Sequence, residues 1–178
     1  MKKVVLFDLG NTLEIKIDGH SALREHAIET LKEIQNMRDI NDQQLVLGLA
    51  SDFFPASNKE ELKQRRLEYY NILEQLQIKS FFEPVDENVT LSSEVPETKS
   101  ENLEKFVQKV IKKIGNNNNI SFNDIIFITE FKPHIDSANN LGMKTIFLNL
   151  DGIPTNSNQL TITNLTEAID IIKNLIRQ

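Results

Sequence analysis

The chain has 178 residues, of which 39% are hydrophobic and 26% are charged, a balance typical of an ordinary soluble domain. Its formal net charge of -6 differs from the basic footprint of nucleic-acid-binding proteins. The absence of cysteine excludes disulfides, thiolate catalysis and thiolate zinc sites. We therefore predict one domain over residues 1–178 that binds no nucleic acid.

The first apolar run is too short for export or for insertion into a membrane. Asp8 interrupts it directly after Phe7, much earlier than a signal peptide allows. No apolar run elsewhere approaches the length that spans a bilayer. These observations predict a cytoplasmic protein that does not bind membranes.

Five apolar segments predict β-strands, and helix signals separate them. The predicted strands are residues 3–9, 44–50, 89–91, 125–128 and 144–149. Strands that alternate with helices predict a parallel sheet with right-handed crossovers. We therefore expect a five-stranded parallel sheet with helices on both faces, which is a three-layer α/β domain of the Rossmann-like type.

The connecting segments carry turn and capping signals. Residues 14–20 alternate charged and apolar side chains around a Gly, which predicts a small flap or hairpin. We expect Ser21 to cap the helix that follows, and Ser57 and Glu60 to form a capping box at the start of the next helix. No segment is long enough for a second domain, so any cap over a site is minimal.

Polar residues follow four of the predicted strands. Asp8 follows the first, Ser51 the second, Lys99 lies in the loop after the third, and Glu130 follows the fourth. Because the carboxyl ends of parallel strands meet at one edge, we expect these side chains to lie together. Two carboxylates suit a hard divalent cation, a hydroxyl and an ammonium bind phosphate oxygens, and a carboxylate can act as a nucleophile. The set predicts phosphoryl transfer.

Each of these residues also has a purely structural explanation. Asp8 would cap a loop by accepting hydrogen bonds from backbone amides, and Ser51 would cap the turn into the next helix. Lys99 and Glu130 would be solvated surface charges. The phosphoryl-transfer hypothesis therefore depends on the joint pattern and its order along the chain.

That order resembles the haloacid dehalogenase superfamily over nearly the whole chain. The similar segments are residues 7–13 (Phe-Asp-Leu-Gly-Asn-Thr-Leu) for the first motif, 47–52 for the second, 91–99 for the third, and 126–130 with 138–146 for the fourth. A bacterial receiver domain also combines Asp, Ser or Thr, and Lys at strand ends. Its phospho-accepting Asp lies in mid-chain, whereas Asp8 follows the first strand, so the order counts against a receiver.

The resemblance implies a hydrolase with a minimal cap, namely a Mg²⁺-dependent phosphatase that acts on a small phosphorylated metabolite through an aspartyl phosphate. The implied site residues are Asp8 and Lys99 for catalysis, Ser51, Asn11 and Asp52 for substrate binding, and Asp8, Gly10 and Glu130 for Mg²⁺. The oligomeric state does not follow from the sequence.

The chain departs from the family pattern in its first, third and fourth motifs. Gly10 stands where family phosphatases usually place a second Asp, the general acid. Glu130 replaces a shorter Asp, and the next acid of the fourth motif falls on His134 or, with a shift, on Asp136. Ser100 replaces the Pro that usually follows the Lys. These departures predict a weak, specialised or lapsed enzyme.

The missing acid matters because general acid–base catalysis typically contributes about 10²–10⁴-fold to a rate. Candidate substitutes are Asp52, Glu14 and His20. The alternative to an active phosphatase is a catalytically weak or inactive relative that binds a phosphorylated ligand or a protein partner. Carbon–halogen hydrolysis is a weaker third hypothesis, because dehalogenases of the family carry a large lid and an Arg near the nucleophile, whereas the first Arg here is Arg24.

Overall fold

The computed structural model describes residues 2–94, 102–115 and 120–177. Across these residues, six parallel strands form one sheet. The strands are β1 (Val4–Phe7), β4 (Val46–Ser51), β5 (Val89–Leu91), β6 (Ile125–Thr129), β7 (Lys144–Leu148) and β8 (Leu160–Ile162). They lie in the order β5-β4-β1-β6-β7-β8. The predicted parallel α/β architecture is confirmed, but the predicted number of five strands is wrong.

The sixth strand, β8, lies at the edge of the sheet and has three residues. It pairs with β7, where Leu148 lies opposite Ile162, and the backbone N–H of Asn149 donates to the carbonyl of Ile162. A segment this short, placed directly after a polar loop, has too few residues to show a strand period. Its pairing with β7 therefore determines its conformation more than its own sequence does.

Helices cover both faces of the sheet. They are α1 (Ala27–Gln35), α2 (Lys59–Gln75), α3 (Val85–Asn88), α4 (Leu103–Gly115), α5 (Lys132–Asn140) and α6 (Glu167–Leu175). Successive residues of a strand point to opposite faces. Accordingly, Val5 and Phe7 of β1 pack with α1, α2 and α6, whereas Val4 and Leu6 pack with α4 and α5. The three layers thus enclose two apolar cores.

An antiparallel hairpin follows β1 at the place where the sequence predicts a flap. Its strands are β2 (Glu14–Ile17) and β3 (His20–Leu23). Ser21 lies in β3 and donates a hydrogen bond to the Glu14 carboxylate, so the expectation that Ser21 caps a helix is wrong. Helix α1 begins only at Ala27, after His26 in a left-handed conformation.

Helix α2 begins one residue later than the sequence suggests. Asn58 is its N-cap, and its side-chain oxygen accepts a hydrogen bond from the Glu61 backbone N–H at 2.9 Å. The Glu61 carboxylate accepts in return from the backbone N–H of Ser57. The expected pairing of Ser57 with Glu60 is therefore shifted by one residue. Asn is as good an N-cap as Ser, so the capping preference is satisfied equally well by Ser57 and by Asn58.

The chain reverses direction across the sheet beside β1. It runs from β1 outward to β4 and β5, and then returns to the other side of β1 to form β6, β7 and β8. In open parallel sheets, a crevice for ligands forms at such a switch point, outside the carboxyl ends of the strands. Within the described residues, no helix is both long and apolar enough to cross a membrane.

Candidate active site at the carboxyl edge of the sheet

Asp8 lies at this switch point, directly after β1. Its backbone N–H donates to the carbonyl of Ile128 in the neighbouring strand at 3.1 Å. Asp8 is 8% exposed, and Thr129 Oγ1 donates a hydrogen bond to Asp8 Oδ2 at 3.3 Å. A carboxylate at this depth needs compensating polar groups, and the end of β6 supplies one of them.

Glu130 approaches the same position from the end of β6. Thr129 Oγ1 lies 3.5 Å from Glu130 Oε2, so one hydroxyl is within hydrogen-bonding distance of both carboxylates. Thr12 fixes Glu130 from the other side, since its hydroxyl donates to Glu130 Oε2 at 2.5 Å and accepts from the Glu130 backbone N–H at 3.3 Å. The structure therefore brings Asp8 and Glu130 together, and Thr12 and Thr129 are site residues that the sequence analysis missed.

His134 is one of the two residues at which the family resemblance places the second acid of the fourth motif. It lies on α5, is 4% exposed, and its Nδ1 is 3.9 Å from Asp8 Oδ2. Asp136, the alternative for that acid, is exposed and forms an ion pair with Lys132. The residue beside the Asp8 carboxylate is therefore an imidazole and not a third carboxylate.

Ser51 ends β4 on the other side of Asp8 and is 2% exposed. The Tyr69 hydroxyl of α2 donates to Ser51 Oγ at 2.6 Å. Burial raises the pKa of Tyr69, and the negative charges of Asp8 and Glu14 act in the same direction, while the bond to Ser51 opposes them. Tyr69 therefore stays a neutral donor, and the Ser51 hydroxyl keeps its own proton for another acceptor.

The turn after Asp8 is open to solvent at Gly10 and Asn11. Asn11 has a φ of 54°, a left-handed conformation that Asn tolerates better than most residues. Position 10 does not require a glycine, because its φ is not left-handed and a Cβ added there would meet no atom within 4 Å. The position at which the family resemblance implies a general acid therefore has room for a side chain.

Arg24, just after the hairpin, holds this turn from outside. Its Nε donates to the Thr12 carbonyl at 2.8 Å, and its guanidinium also donates to the Asn11 carbonyl. Burial lowers the pKa of Arg24, while the negative charge of Glu130 opposes that shift. This role was not predictable, because Arg24 is distant from the turn along the chain. In the sequence, Arg24 counted only as an Arg too far from Asp8 for a dehalogenase.

The remaining expected residues lie in three different situations. Asp52 is exposed beyond Ser51. Glu14 is nearly buried, and Lys16 and Ser21 bind its carboxylate, while His20 is exposed on β3. Lys99, like Ser100, lies outside the described residues.

The third motif is anchored at its described end by a buried ion network. The Glu94 side chain is 1% exposed and receives hydrogen bonds from Arg66 at 2.7 Å and from Lys113 at 3.1 Å. Burial lowers the pKa of Lys113, although Glu94 opposes the shift. The Leu91 backbone N–H also donates to Glu94. This network fixes the end of β5 between α2 and α4.

No family model matches the sequence, and no curated protein matches it. Solved structures do match. A HAD-superfamily hydrolase from Ehrlichia chaffeensis superposes with a TM-score of 0.61 at 17% identity, over 99% of this chain and 100% of that chain. HAD abbreviates haloacid dehalogenase. The chain has the haloacid dehalogenase fold.

Two further structures share the haloacid dehalogenase fold over part of their length. YfnB from Bacillus subtilis, solved with bound magnesium, has a TM-score of 0.62 at 16% identity over 84% of this chain and 56% of that chain. A HAD phosphatase from Thermococcus onnurineus has a TM-score of 0.57 at 17% identity, over 84% of this chain and 58% of that chain. The chain spans little more than half of the length of these two proteins.

The donor atoms of the site decide whether Mg²⁺ fits there. Among the described residues, no group of three or more His, Cys, Asp or Glu side chains is arranged to hold a metal ion. Mg²⁺, however, is usually bound through one or two carboxylates, with substrate phosphate and water as the other ligands. Asp8 and Glu130, which share the Thr129 hydroxyl, meet that requirement, and the His134 imidazole adds nothing that Mg²⁺ prefers.

Proposed function

We propose that the protein is a phosphatase with the haloacid dehalogenase fold, which hydrolyses a small phosphorylated metabolite through an aspartyl phosphate on Asp8. The observation that carries this proposal is the Asp8 carboxylate, 8% exposed at the switch point of the sheet and adjacent to Glu130 through Thr129. The phosphatase from Thermococcus onnurineus has this fold and supports the reaction class.

In the first step, an Asp8 carboxylate oxygen attacks phosphorus, and the bond from phosphorus to the ester oxygen breaks. The leaving oxygen departs with the electron pair of that bond. Gly10 has no side chain to protonate it, so it takes its proton from solvent. In the second step, water attacks the aspartyl phosphate, which releases inorganic phosphate and restores Asp8.

The phosphate oxygens need donors while their charge rearranges. Ser51 is suited to this because Tyr69 donates to its oxygen and leaves the hydroxyl proton available. Lys99 is proposed as the cationic partner, and Asn11 and Asp52 as further substrate contacts. Asp8, Glu130 and the Gly10 carbonyl would hold Mg²⁺, which would supply positive charge next to the phosphate. The magnesium bound to YfnB supports this choice of ion.

The second candidate is a relative that binds a phosphorylated ligand or a protein partner without turnover. Two observations favour it: the general acid is missing at Gly10, and His134 replaces the last acid of the fourth motif. This candidate requires binding of a phosphate analogue such as orthovanadate, no phosphoryl group on Asp8, and no release of phosphate from any phosphate ester or acyl phosphate.

The test compares phosphate release from acetyl phosphate by three proteins in the presence of Mg²⁺. The wild-type protein is expected to turn over, and Asp8→Asn is expected to lose activity to background because the amide is not a nucleophile. Asp136→Asn is the matched control, since Asp136 is exposed and pairs with Lys132. Equal rates in wild-type protein and Asp8→Asn would refute the assigned nucleophile.

A further inference from the structure

Exposed large hydrophobic side chains are concentrated at the edge of the sheet that carries Asp8. The described residues include eight such side chains, and five of them lie on the hairpin or loops that leave the carboxyl ends of β1, β4, β6 and β7. These five are Ile17, Phe54, Phe131, Leu150 and Ile153. This apolar rim lies at the same edge of the sheet as the buried Asp8 carboxylate, and ligand sites typically combine apolar groups with a few polar ones.

Phe131 connects this apolar rim to the nucleophile on one side. It is 42% exposed, and its ring packs edge-to-face against the His134 imidazole, with 4.6 Å between the ring centroids. The same imidazole lies 3.9 Å from Asp8. The backbone N–H of Phe131 donates to Thr129 Oγ1 at 3.1 Å. The His134 side chain thus lies between the Phe131 ring and the Asp8 carboxylate.

Phe54 provides a second exposed aromatic group, in the segment after β4, on the other side of β1. It is 65% exposed, and its ring lies 5.2 Å from the ring of Phe53, which lies 5.3 Å from the ring of Tyr69. The Arg65 guanidinium lies over the Phe54 ring, 5.6 Å from its centroid. Tyr69 in turn donates to Ser51. Because β4 and β6 flank β1 in the sheet, exposed aromatic rings follow both neighbours of the nucleophile strand.

The chemistry of the leaving group gives an independent reason to expect a substrate with an aromatic ring. An alkoxide is a poor leaving group without a general acid, and Gly10 supplies none. A phenolate spreads its negative charge over the ring and leaves without a proton. A site that lacks an acid at position 10 and exposes aromatic rings is therefore matched to esters whose leaving group is aromatic.

We propose that the substrate is the phosphate monoester of a small phenolic compound, whose ring contacts Phe131. This inference rests on the proposed function. Asp8 attacks phosphorus, the bond between phosphorus and the phenolic oxygen breaks, and the phenolate departs and takes a proton from water. Water then releases phosphate from Asp8. Aromatic side chains favour a ring over a smaller group by edge-to-face and offset contacts.

The test compares kcat/KM for phenyl phosphate with kcat/KM for acetyl phosphate, two substrates whose leaving groups need no general acid. In Phe131→Ala the ratio of the two is expected to fall about 2- to 10-fold, the size of one aromatic contact, mainly through a higher KM for phenyl phosphate. Phe54→Ala is expected to lower the ratio less than Phe131→Ala does, because Arg65 already lies over the Phe54 ring. Ile40→Ala removes an equally exposed hydrophobic group that precedes β4, at the opposite edge, and the ratio should stay at the wild-type value.

The outcomes separate this inference from the function on which it rests. Turnover that depends on Asp8, with the same ratio in wild-type protein and Phe131→Ala, would overturn the phenolic substrate and leave the phosphatase intact. Absence of turnover of both substrates by folded wild-type protein would overturn the phosphatase itself. A drop in the ratio for Phe131→Ala, with Ile40→Ala unchanged, supports the inference.

Discussion

Placing a carboxyl group at position 10 should speed the hydrolysis of phosphate esters whose leaving group needs a proton. In Gly10→Asp, the new carboxyl group would stand at the position of the general acid of the family, two residues after Asp8. The backbone there is not left-handed, and the added Cβ meets no atom within 4 Å, so the substitution costs little strain. We expect the change in unfolding free energy to stay within about 0.5 kcal/mol, as for other exposed positions.

The expected gain in rate depends on the leaving group. For an alkyl phosphate, which needs a proton on its leaving oxygen, kcat/KM should rise by about 10²–10⁴-fold, which corresponds to about 3–5 kcal/mol of transition-state stabilisation. For phenyl phosphate the gain should be much smaller, because phenolate leaves without a proton.

The assay measures phosphate release from glycerol phosphate and phenyl phosphate by wild-type protein, Gly10→Asp and Gly10→Asn. The Asn variant has the same shape and no acidic proton, so it controls for the effect of filling the space. Equal gains for both esters, or an equal gain in Gly10→Asn, would refute the reasoning that Gly10 limits protonation of the leaving group.

Three further changes test the surroundings of Asp8 and the sheet. Tyr69→Phe removes the donor to Ser51 and should lower kcat/KM for phosphate esters roughly 3- to 10-fold, in line with one net hydrogen bond; an unchanged value would show that Ser51 does not depend on Tyr69. His134→Asp adds an oxygen ligand that Mg²⁺ prefers to imidazole. Its apparent Kd for Mg²⁺, measured by thermal shift, should fall roughly 10- to 100-fold, and a higher Kd would contradict the proposed ion site. Burial raises the pKa of Asp124, but hydrogen bonds from the Ser121 N–H and hydroxyl, together with Lys3, outweigh it and hold that pKa below its usual value. The carboxylate therefore stabilises the fold above pH ~4, its ordinary pKa, and this stability is lost as the pH falls through the lower folded pKa. Asp124→Asn should lower the free energy of unfolding in urea by about 1–2 kcal/mol at pH 7, and by nothing when the pH is below the pKa of folded Asp124. A loss of stability that does not depend on pH would refute the charge argument.

The layers of the fold followed from the sequence because apolar strands and amphipathic helices alternate along most of the chain. β8 did not, because Leu160–Ile162 becomes a strand through its pairing with β7. The start of α1 was misplaced because the capping rule fits Ser21 as well as any helix start. The alternation over residues 14–20 predicted a flap or hairpin, but that prediction ended one residue before Ser21, which pairs with Lys16 in the hairpin.

The meeting of Asp8 and Glu130 was predictable for a topological reason, since both follow parallel strands and such ends share an edge. Tyr69 and Arg24 were not predictable. In the sequence, Tyr69 is one of several apolar positions on α2. Only the packing of that helix brings its hydroxyl within hydrogen-bonding distance of Ser51. Arg24 reaches the turn at Asn11 because the hairpin folds back toward it. Contacts between residues distant in sequence carry no local signal.

The central claim is that Asp8 becomes phosphorylated during turnover. The direct measurement is rapid acid quenching of the protein during reaction with acetyl phosphate, followed by peptide mass spectrometry. We predict one phosphoryl group on the peptide that contains Asp8, which disappears on treatment with hydroxylamine, as an acyl phosphate does. A phosphoryl group on any other residue, or turnover with no phosphorylated intermediate at any quench time, would contradict the account.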